Sequence, residues 1–203
     1  IGTPMQAAFR LRPGDGQGPD AYLARQPYFQ TMPRFMFHET GVHYADTFRF
    51  LFGDPTAVYA DLRKINPVIA GEDADVVTFD HPGGVRTILD ANRNADHSAT
   101  NMRCTMGEGL FEGTTGSLTL TGDGAVHLRR FGETTCTTLL PPDTSPCFGG
   151  DCTYLLQAHV LRAISTHGHI ENIAEDYLKV LQIEAFVYQS SRDGMKVKLD
   201  GRL

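Results

Sequence analysis

The sequence lacks the features that define several large classes of protein. It has no surplus of positive charge, since 18 Lys and Arg stand against 24 Asp and Glu, for a net charge of −6. That balance argues against a general nucleic-acid surface. The longest apolar runs fall far short of a membrane span, and a hydrophobic content of 41% is ordinary for a soluble globular domain. We therefore expect neither nucleic acid nor a membrane as a partner.

Cysteine is scarce and is not arranged for metal or redox chemistry. The four cysteines, Cys104, Cys136, Cys147 and Cys152, contain no C-x-x-C pair. We expect free thiols and a cytoplasmic location. In the alternative, Cys147 and Cys152 close a small loop when oxidised.

A dinucleotide-binding fingerprint is also missing. The glycine-rich candidate, Gly14 to Pro19, has the spacing G-x-G-x-G rather than G-x-G-x-x-G. Pro19 stands where a backbone N–H should meet a pyrophosphate. We interpret the segment as a loop between a strand at Met5 to Leu11 and a short helical stretch at Asp20 to Ala24.

The most informative segment runs from Phe37 to Gly53, where two patterns at helical spacing overlap. One pattern places Glu39, His43, Asp46 and Phe50 on one side, and the other forms an apolar stripe of Val42, Ala45, Phe48 and Phe52. The spacing predicts a helix that buries one face and presents chemistry on another. Gly53 and Pro55 are typical of its end.

Glu39 and His43 are one helical turn apart. A carboxylate at this spacing can orient an imidazole and raise its basicity, as a proton-transferring histidine requires. Spacing alone favours the alternative of an ordinary solvated or core-satisfying pair. His38 and His43 lie about 140° apart around a helix, so we predict no metal site on this segment.

The rest of the chain predicts strands followed by helices. Alternating residues and tight turns indicate strands near 55–65, 75–80, 85–91, 102–111, 117–120 and 125–130, a loop at 133–146, helices at 153–166 and 171–193, and a closing strand near 195–199. Consecutive strands joined by tight turns pair antiparallel. We therefore predict one α+β domain over residues 1–203, with a mostly antiparallel open sheet and helices packed on one face.

The predicted strands carry apolar residues in both registers, as in Val76-Val77 and Ile88-Leu89. One side of each pair faces the helices, so the other side leaves apolar surface uncovered. We expect two copies to associate through this sheet face.

Three segments carry a resemblance to a known family. The helix Glu39-Thr-Gly-Val-His43-Tyr-Ala-Asp46 resembles the acid-x-x-x-His-x-x-Asp helix of the glucose-fructose oxidoreductase, inositol dehydrogenase and rhizopine-catabolism family, Gfo/Idh/MocA. Glu112 to Leu120 is similar to the family's Gly-x-x-Gly-[Ser/Thr]-Leu strand, and Glu175 to Val197 is similar to its last helix and strand. Asp is commoner than Glu at the first helix position, which leaves the substrate open.

The resemblance implies the C-terminal domain of an enzyme that transfers a hydride between NAD or NADP and a carbon of a sugar or polyol. Members of the family begin with a Rossmann domain that binds the dinucleotide and supplies a catalytic Lys within a Glu-Lys-Pro segment. Neither feature is present here, so we expect this chain to be the C-terminal part of a longer enzyme. The resemblance also implies a homo-oligomer.

On this basis we predict His43 as the acid-base that takes the hydroxyl proton, and Glu39 as its orienting partner or a substrate acceptor. A polyol needs several polar partners, because an unmatched buried hydroxyl costs about 1–3 kcal/mol. The candidate substrate contacts are Arg25, Tyr28, Gln30, Arg34, Asp46 and His97. Asp46 more often braces such a helix, and the others are ordinary loop residues in the alternative interpretation.

Two other functional classes stay open from the sequence. One is a noncatalytic assembly module in which the Glu39 and His43 pair is structural. The other is a glycoside hydrolase that uses NAD transiently, as some relatives in the family do.

Overall fold

The computed structural model describes residues 1–145, 147–171, 173–199, 201 and 203. These residues form the strands β1 Pro4–Leu11, β2 Ala57–Arg63, β3 Ala74–Asp80, β4 Arg86–Asn92, β5 Gly107–Gly113, β6 Gly116–Leu120, β7 Val126–Arg130, β8 Thr137–Leu140 and β9 Val197–Lys198, and the α-helices α1 Val42–Phe52, α2 Cys152–Thr166 and α3 Ala174–Asp193. Pro146, at the end of the predicted loop, and Asn172, within the predicted last helix, lie outside the described residues.

The strands form a single sheet in the order β8-β7-β6-β5-β1-β4-β3-β2-β9. All neighbours are antiparallel except β1 and β4, which run parallel with Phe9 beside Leu89. β1 therefore lies between two antiparallel meanders, β2 to β4 and β5 to β8. The predicted α+β fold with a mostly antiparallel open sheet is confirmed.

One face of the sheet carries the main core. α3 lies against β2, and α1 packs beside α3. Phe9, Val77 and Leu89 from the sheet join Phe48 of α1 and Ile183 of α3 in one buried cluster. α2 is packed far less, since Ala163 is the only buried residue within Cys152–Thr166.

The predicted helix at Phe37 to Gly53 is confirmed, with a difference at its start. Met36–Gly41 forms a π-helical turn that continues into α1. A Cβ at Gly41 would stand only 2.5 Å from the Phe37 ring, so this turn needs glycine. The predicted apolar stripe is buried at Val42, Ala45 and Phe48. π turns occur often at functional sites, because they change which side chains share a face.

Two local predictions were wrong. β8 lies inside the stretch predicted to be a loop, and its four residues are all exposed, so no alternation of burial marks it in the sequence. The stretch Asp20 to Ala24 forms turns rather than a helix, since Tyr22 adopts a left-handed backbone with φ of 70°.

The other face of the sheet is open and partly apolar. Strand register places Tyr59, Thr78, Ile88, Ala8 and Leu110 in one row across five strands. Tyr59 and Leu110 are 41% and 40% exposed. The row therefore presents apolar surface on the side away from α1 and α3.

Buried acidic residues lie at the start of β3. Glu72 accepts hydrogen bonds from the backbone N–H of Phe35 and of Phe37, at 3.1 and 3.2 Å, and from the Tyr188 hydroxyl. Asp73 accepts the N–H groups of Ile65 and Asn66 and the side-chain amide of Asn94, at 2.6 to 2.9 Å. Both carboxylates thus hold neighbouring segments against the sheet.

Asp75 follows on the same strand without such partners. Its side chain is buried, and neither oxygen makes a hydrogen bond with the described residues. Burial raises the pKa of Asp75 well above its usual range, and the nearby carboxylates of Glu72 and Asp73 raise it further. The backbone of Arg63 lowers the pKa of Asp75, but by less than burial and the two acids raise it. The folded protein therefore favours the protonated, neutral form of this acid.

Candidate active site

An open cleft of about 590 Å³ lies where the loop after β1, the start of α1 and the end of β4 meet. Its polar lining comes from Asp15, Asp20, Tyr22, Arg25, Gln26, Glu39, Thr40, His43, Arg93 and Arg103. The cleft brings together three acids and one histidine, on a floor built around a single buried cation.

Arg93 is that cation, and it lies just beyond β4 with only 2% of its surface exposed. One terminal nitrogen, Nη1, donates to Asp15 Oδ2 at 3.1 Å. The other, Nη2, donates to Glu39 Oε2 at 2.6 Å and to the Thr40 hydroxyl. Charged hydrogen bonds of this kind are among the strongest in proteins. The guanidinium thus joins the loop after β1 to the π turn.

Three aromatic rings surround the same guanidinium. Its central carbon lies 5.6, 5.3 and 4.8 Å from the ring centres of Tyr22, Phe29 and Phe35. Each distance is within the range of a cation–π interaction. Burial raises the pKa of the Tyr22 hydroxyl, against the opposing effect of Arg93, so this tyrosine stays a neutral donor to Asp15. The three rings therefore hold the Arg93 guanidinium in position.

His43 stands at the edge of the cleft on the first turn of α1. Its side chain is exposed and makes no hydrogen bond with the described residues. An imidazole without an internal partner can meet a ligand directly. The next residue, Tyr44, is largely buried against Phe9, with ring centres 4.6 Å apart, and burial raises the pKa of its hydroxyl.

The structure brings three of the predicted site residues together at the cleft: Glu39, His43 and Arg25. Glu39 does not bond to His43, because its hydrogen bonds among the described residues go to Arg93 and Thr40. Arg25 reaches Asp15 at 3.4 Å and is 45% exposed. Their roles in binding or catalysis stay predictions.

The other predicted residues do not line this cleft. Asp46 pairs with Arg49 one turn along α1, at 3.1 Å. Gln30 donates to the carbonyls of Pro19 and Ala21, so it supports the loop that forms the cleft wall. His97 hydrogen-bonds to the Arg12 carbonyl at 2.8 Å.

Tyr28 and Arg34 also have structural partners elsewhere. The Tyr28 hydroxyl accepts a hydrogen bond from Gln26 at 3.1 Å. Arg34 stacks over the Tyr188 ring at 4.4 Å and pairs loosely with Glu184. These contacts account for both side chains without a ligand.

Sequence reasoning missed Asp15, Tyr22 and Arg93. Arg93 did leave a signal, since Thr87, Leu89, Ala91 and Arg93 are alternate residues, and all four are buried. A cation that continues a buried alternation must have partners. Asp15 and Tyr22 left no such signal, because both lie in an irregular loop.

The described residues contain no group of three or more side chains arranged to hold a metal ion. No helix in this part of the chain is long and apolar enough to cross a membrane. The loop from Gly14 to Gly18 is occupied by internal contacts, since the Gly16 N–H donates to the Arg93 carbonyl and Asn66 donates to the carbonyls of Gly16 and Gly18. The N–H of Gly16 is therefore already used within the fold and is not free for a dinucleotide phosphate.

Solved structures share this fold over nearly the whole chain, and they are oxidoreductases. An oxidoreductase from Agrobacterium radiobacter, in complex with NAD+, L-tartaric acid and magnesium, superposes with a TM-score of 0.83 at 24% identity over 100% of this chain and 59% of that chain. Levoglucosan dehydrogenase, in complex with NADH and levoglucosan, gives 0.77 at 16% identity, over 98% of this chain and 59% of that one. At these identities the likeness shows the fold.

Residues 2–119 match the model of the GFO/IDH/MocA C-terminal domain, and the chain belongs to this family. Among curated proteins, D-apiose dehydrogenase from Paraburkholderia graminis is 28% identical over 98% of this chain and 52% of its own length. The enzyme of the same name from Rhizobium rhizogenes is 25% identical over 100% of this chain and 58% of its own length. The chain thus spans about half the length of the curated relatives that it matches.

Proposed function

We propose that this chain is the C-terminal, substrate-binding domain of an NAD(P)-dependent oxidoreductase that acts on a sugar or polyol. The observation that carries the proposal is the unpartnered imidazole of His43 beside the Glu39 carboxylate in one open cleft. Similarity to two D-apiose dehydrogenases supports a sugar as the substrate class.

Oxidation of an alcohol carbon removes a proton from the hydroxyl and a hydride from the carbon. In our proposal His43 accepts the proton, because its side chain lines the cleft and makes no hydrogen bond with the described residues. NAD or NADP, when bound, supplies the hydride acceptor. Arg25 lines the same cleft, and we propose it as a contact of the same substrate.

Of the two roles predicted for Glu39, we propose that of substrate acceptor. Its Oε2 atom already binds Arg93 and Thr40, while no described residue donates to Oε1. A free carboxylate oxygen accepts a hydrogen bond from a substrate hydroxyl. Arg93, rather than His43, therefore orients this carboxylate.

We further propose that a preceding Rossmann-type domain binds most of the dinucleotide and supplies the catalytic Lys. Two observations support this division. The glycine-rich loop of the present chain is closed by its own hydrogen bonds, and the curated relatives are nearly twice as long as the segment they share with it.

Assembly into an oligomer through the open sheet face belongs to the same proposal. The exposed apolar row through Tyr59, Ile88 and Leu110 supports it, since uncovered apolar surface of this kind favours association of two copies. Changing Leu110 to Asp would place a charge at the β5 end of the row. Size-exclusion chromatography with light scattering should then show smaller particles than the wild type.

The experiment that tests the activity follows NAD(P)H absorbance of the full-length protein with D-apiose first, then other aldoses, inositols and sugar acids. We expect turnover of at least one neutral sugar, and a loss of about 10²- to 10⁴-fold in kcat for His43→Ala. His127→Ala, on β7 and outside the cleft lining, is the matched control and should keep wild-type turnover.

Other outcomes lead elsewhere. Sugar release without net change in NADH would identify a hydrolase. Unchanged turnover in His43→Ala would remove the histidine from the chemistry, and no turnover or release with any compound would favour the noncatalytic assembly module.

A further inference from the structure

We infer that Arg93 is a positioning residue that holds Asp15 and Glu39 as a pair of hydrogen-bond acceptors, so that the cleft floor binds the neighbouring hydroxyls of a neutral polyol and discriminates against carboxylate ligands. The inference rests on the proposed function for its biological meaning. The inference itself concerns the binding of a ligand and not the reaction that follows.

The guanidinium of Arg93 binds two carboxylates. Asp15 and Glu39 bind different terminal nitrogens of Arg93, so the two acids are held close together. Their side chains are 29% and 32% exposed, whereas that of Arg93 is only 2% exposed. The cation thus lies behind the acids, and the acids face the ligand.

The oxygens that remain available are acceptors only. Glu39 Oε1 receives no hydrogen bond from the described residues, and the contacts to Asp15 are long, at 3.1 to 3.4 Å. An ionised carboxylate has no proton to donate. A hydroxyl can donate to it, whereas a ligand carboxylate facing it brings a second acceptor and a like charge.

The remaining cations of the cleft do not reverse this preference at the floor. Arg25 is already paired with Asp15. Arg103 lines the same cleft and stacks over the Phe148 ring at 4.6 Å, and among the described residues it makes no ion pair with Asp15 or Glu39. The side of the guanidinium nearest the ligand is covered by Asp15 and Glu39.

Arginine is specifically required for this arrangement. Its planar fork reaches both acids and Thr40 at once, and its flat faces fit among Tyr22, Phe29 and Phe35. A lysine has a compact charge on a flexible stem and cannot hold both carboxylates in this geometry. Arg93→Lys should therefore keep the charge and lose the alignment.

The test compares two ligands that differ only at their ends, L-threitol and L-tartrate. They share a four-carbon chain and a central diol, and the terminal CH₂OH groups of one are carboxylates in the other. Titration calorimetry on the full-length protein at pH 7.5 measures both affinities. We expect threitol to bind roughly tenfold more tightly than tartrate, which corresponds to about 1.4 kcal/mol.

Variants assign that preference to residues. In Asp15→Asn and Glu39→Gln the threitol-to-tartrate ratio should fall to within about threefold of one, because an amide adds a donor and removes a charge. Arg93→Lys should weaken threitol binding by roughly tenfold. Arg12→Lys is the matched control, since Arg12 is also buried and pairs with Asp90 at 2.7 Å, but it does not line the cleft.

Three results would overturn the inference: tartrate binding as tightly as threitol to the wild type, an unchanged ratio in both acid variants, or no binding of either compound. These readouts do not depend on hydride transfer. A protein that shows the expected ratio and no turnover would contradict the proposed function and leave the inference standing. A loss of threitol affinity in Arg12→Lys equal to that in Arg93→Lys would reduce Arg93 to a general support of the fold.

Discussion

Arg93, just beyond β4, and Asp75, on the neighbouring strand β3, are equally buried at 2% exposure each, yet their surroundings are opposite. Arg93 has two carboxylates, a hydroxyl and three aromatic rings around it. Asp75 has no hydrogen-bond partner among the described residues and lies near two other acids. The comparison teaches that partners, not depth, decide whether a buried group stays charged.

The largest expected effect comes from breaking the Arg93 side of the comparison, where both terminal nitrogens have partners and only Nε has none among the described residues. Arg93→Met keeps much of the side-chain volume and removes every charged hydrogen bond, so we expect a loss of about 3 kcal/mol in the free energy of unfolding, measured by urea denaturation. Arg10→Met is the surface control, because its pair with Glu108 is 3.8 Å long and exposed. It should change stability by less than about 0.5 kcal/mol. Equal effects at both positions would mean that the Arg93 network adds nothing.

Replacing Asp75, which has no hydrogen-bond partner among the described residues, should raise the free energy of unfolding rather than lower it. Asp75→Leu replaces an unpartnered acid with an apolar side chain of similar size, and we expect a gain of about 2 kcal/mol at pH 8. Asp73→Leu, two residues earlier, removes an acid with three hydrogen bonds and should destabilise the protein by about 3 kcal/mol. A loss of stability in Asp75→Leu would show that this acid has a partner in solution.

The pH dependence sharpens the same contrast. Because the pKa of Asp75 is raised in the folded protein, this acid binds a proton that the unfolded chain has already released above about pH 4. Its contribution to stability is therefore full below that pH and is lost as the pH rises through the folded pKa. The slope is at most about 1.4 kcal/mol per pH unit. Urea midpoints across pH should show this decline in the wild type and not in Asp75→Leu; parallel curves would contradict it.

The smallest expected effect concerns Glu72, the buried acid just before Asp73 and Asp75 in the chain. Tyr188→Phe removes one hydrogen bond to Glu72 and leaves the two backbone donors in place, so we expect a loss of about 1 kcal/mol. Tyr177→Phe, at a half-exposed position of α3, is the control and should have no measurable effect. Should the two variants unfold alike, Glu72 would not depend on the tyrosine.

The sequence predicted the fold well where local patterns decide structure. The apolar stripe of α1 and the alternating strands were visible, because burial on one face leaves a period. The strands that pair with β1 could not be predicted from periodicity, since both β4 and β5 lie far along the chain. The π turn before α1 depends on the close approach of Gly41 to Phe37, which no periodicity records.

The candidate site was predicted only in part, for a related reason. His43 and Glu39 are on one helix, so their spacing brought them together in the sequence. Asp15 and Arg93 meet Glu39 through tertiary contacts between three segments. His97, four residues past Arg93, was the residue predicted from this segment. The buried Arg93 is instead the residue that contacts Asp15 and Glu39 in the cleft.

The central place of β1 has a consequence for how the protein comes to be made. A ribosome produces this strand before either of its neighbours, and Phe9 pairs with Leu89 on one side and Gly109 on the other. The strands of each meander can pair with one another as they emerge, but β1 waits with both edges unpaired until β4 has been made, and with one edge unpaired until β5 has followed. Such contacts over long sequence separations slow folding, and an open apolar edge is prone to aggregate. We therefore expect the nascent chain, more than the finished domain, to depend on chaperones.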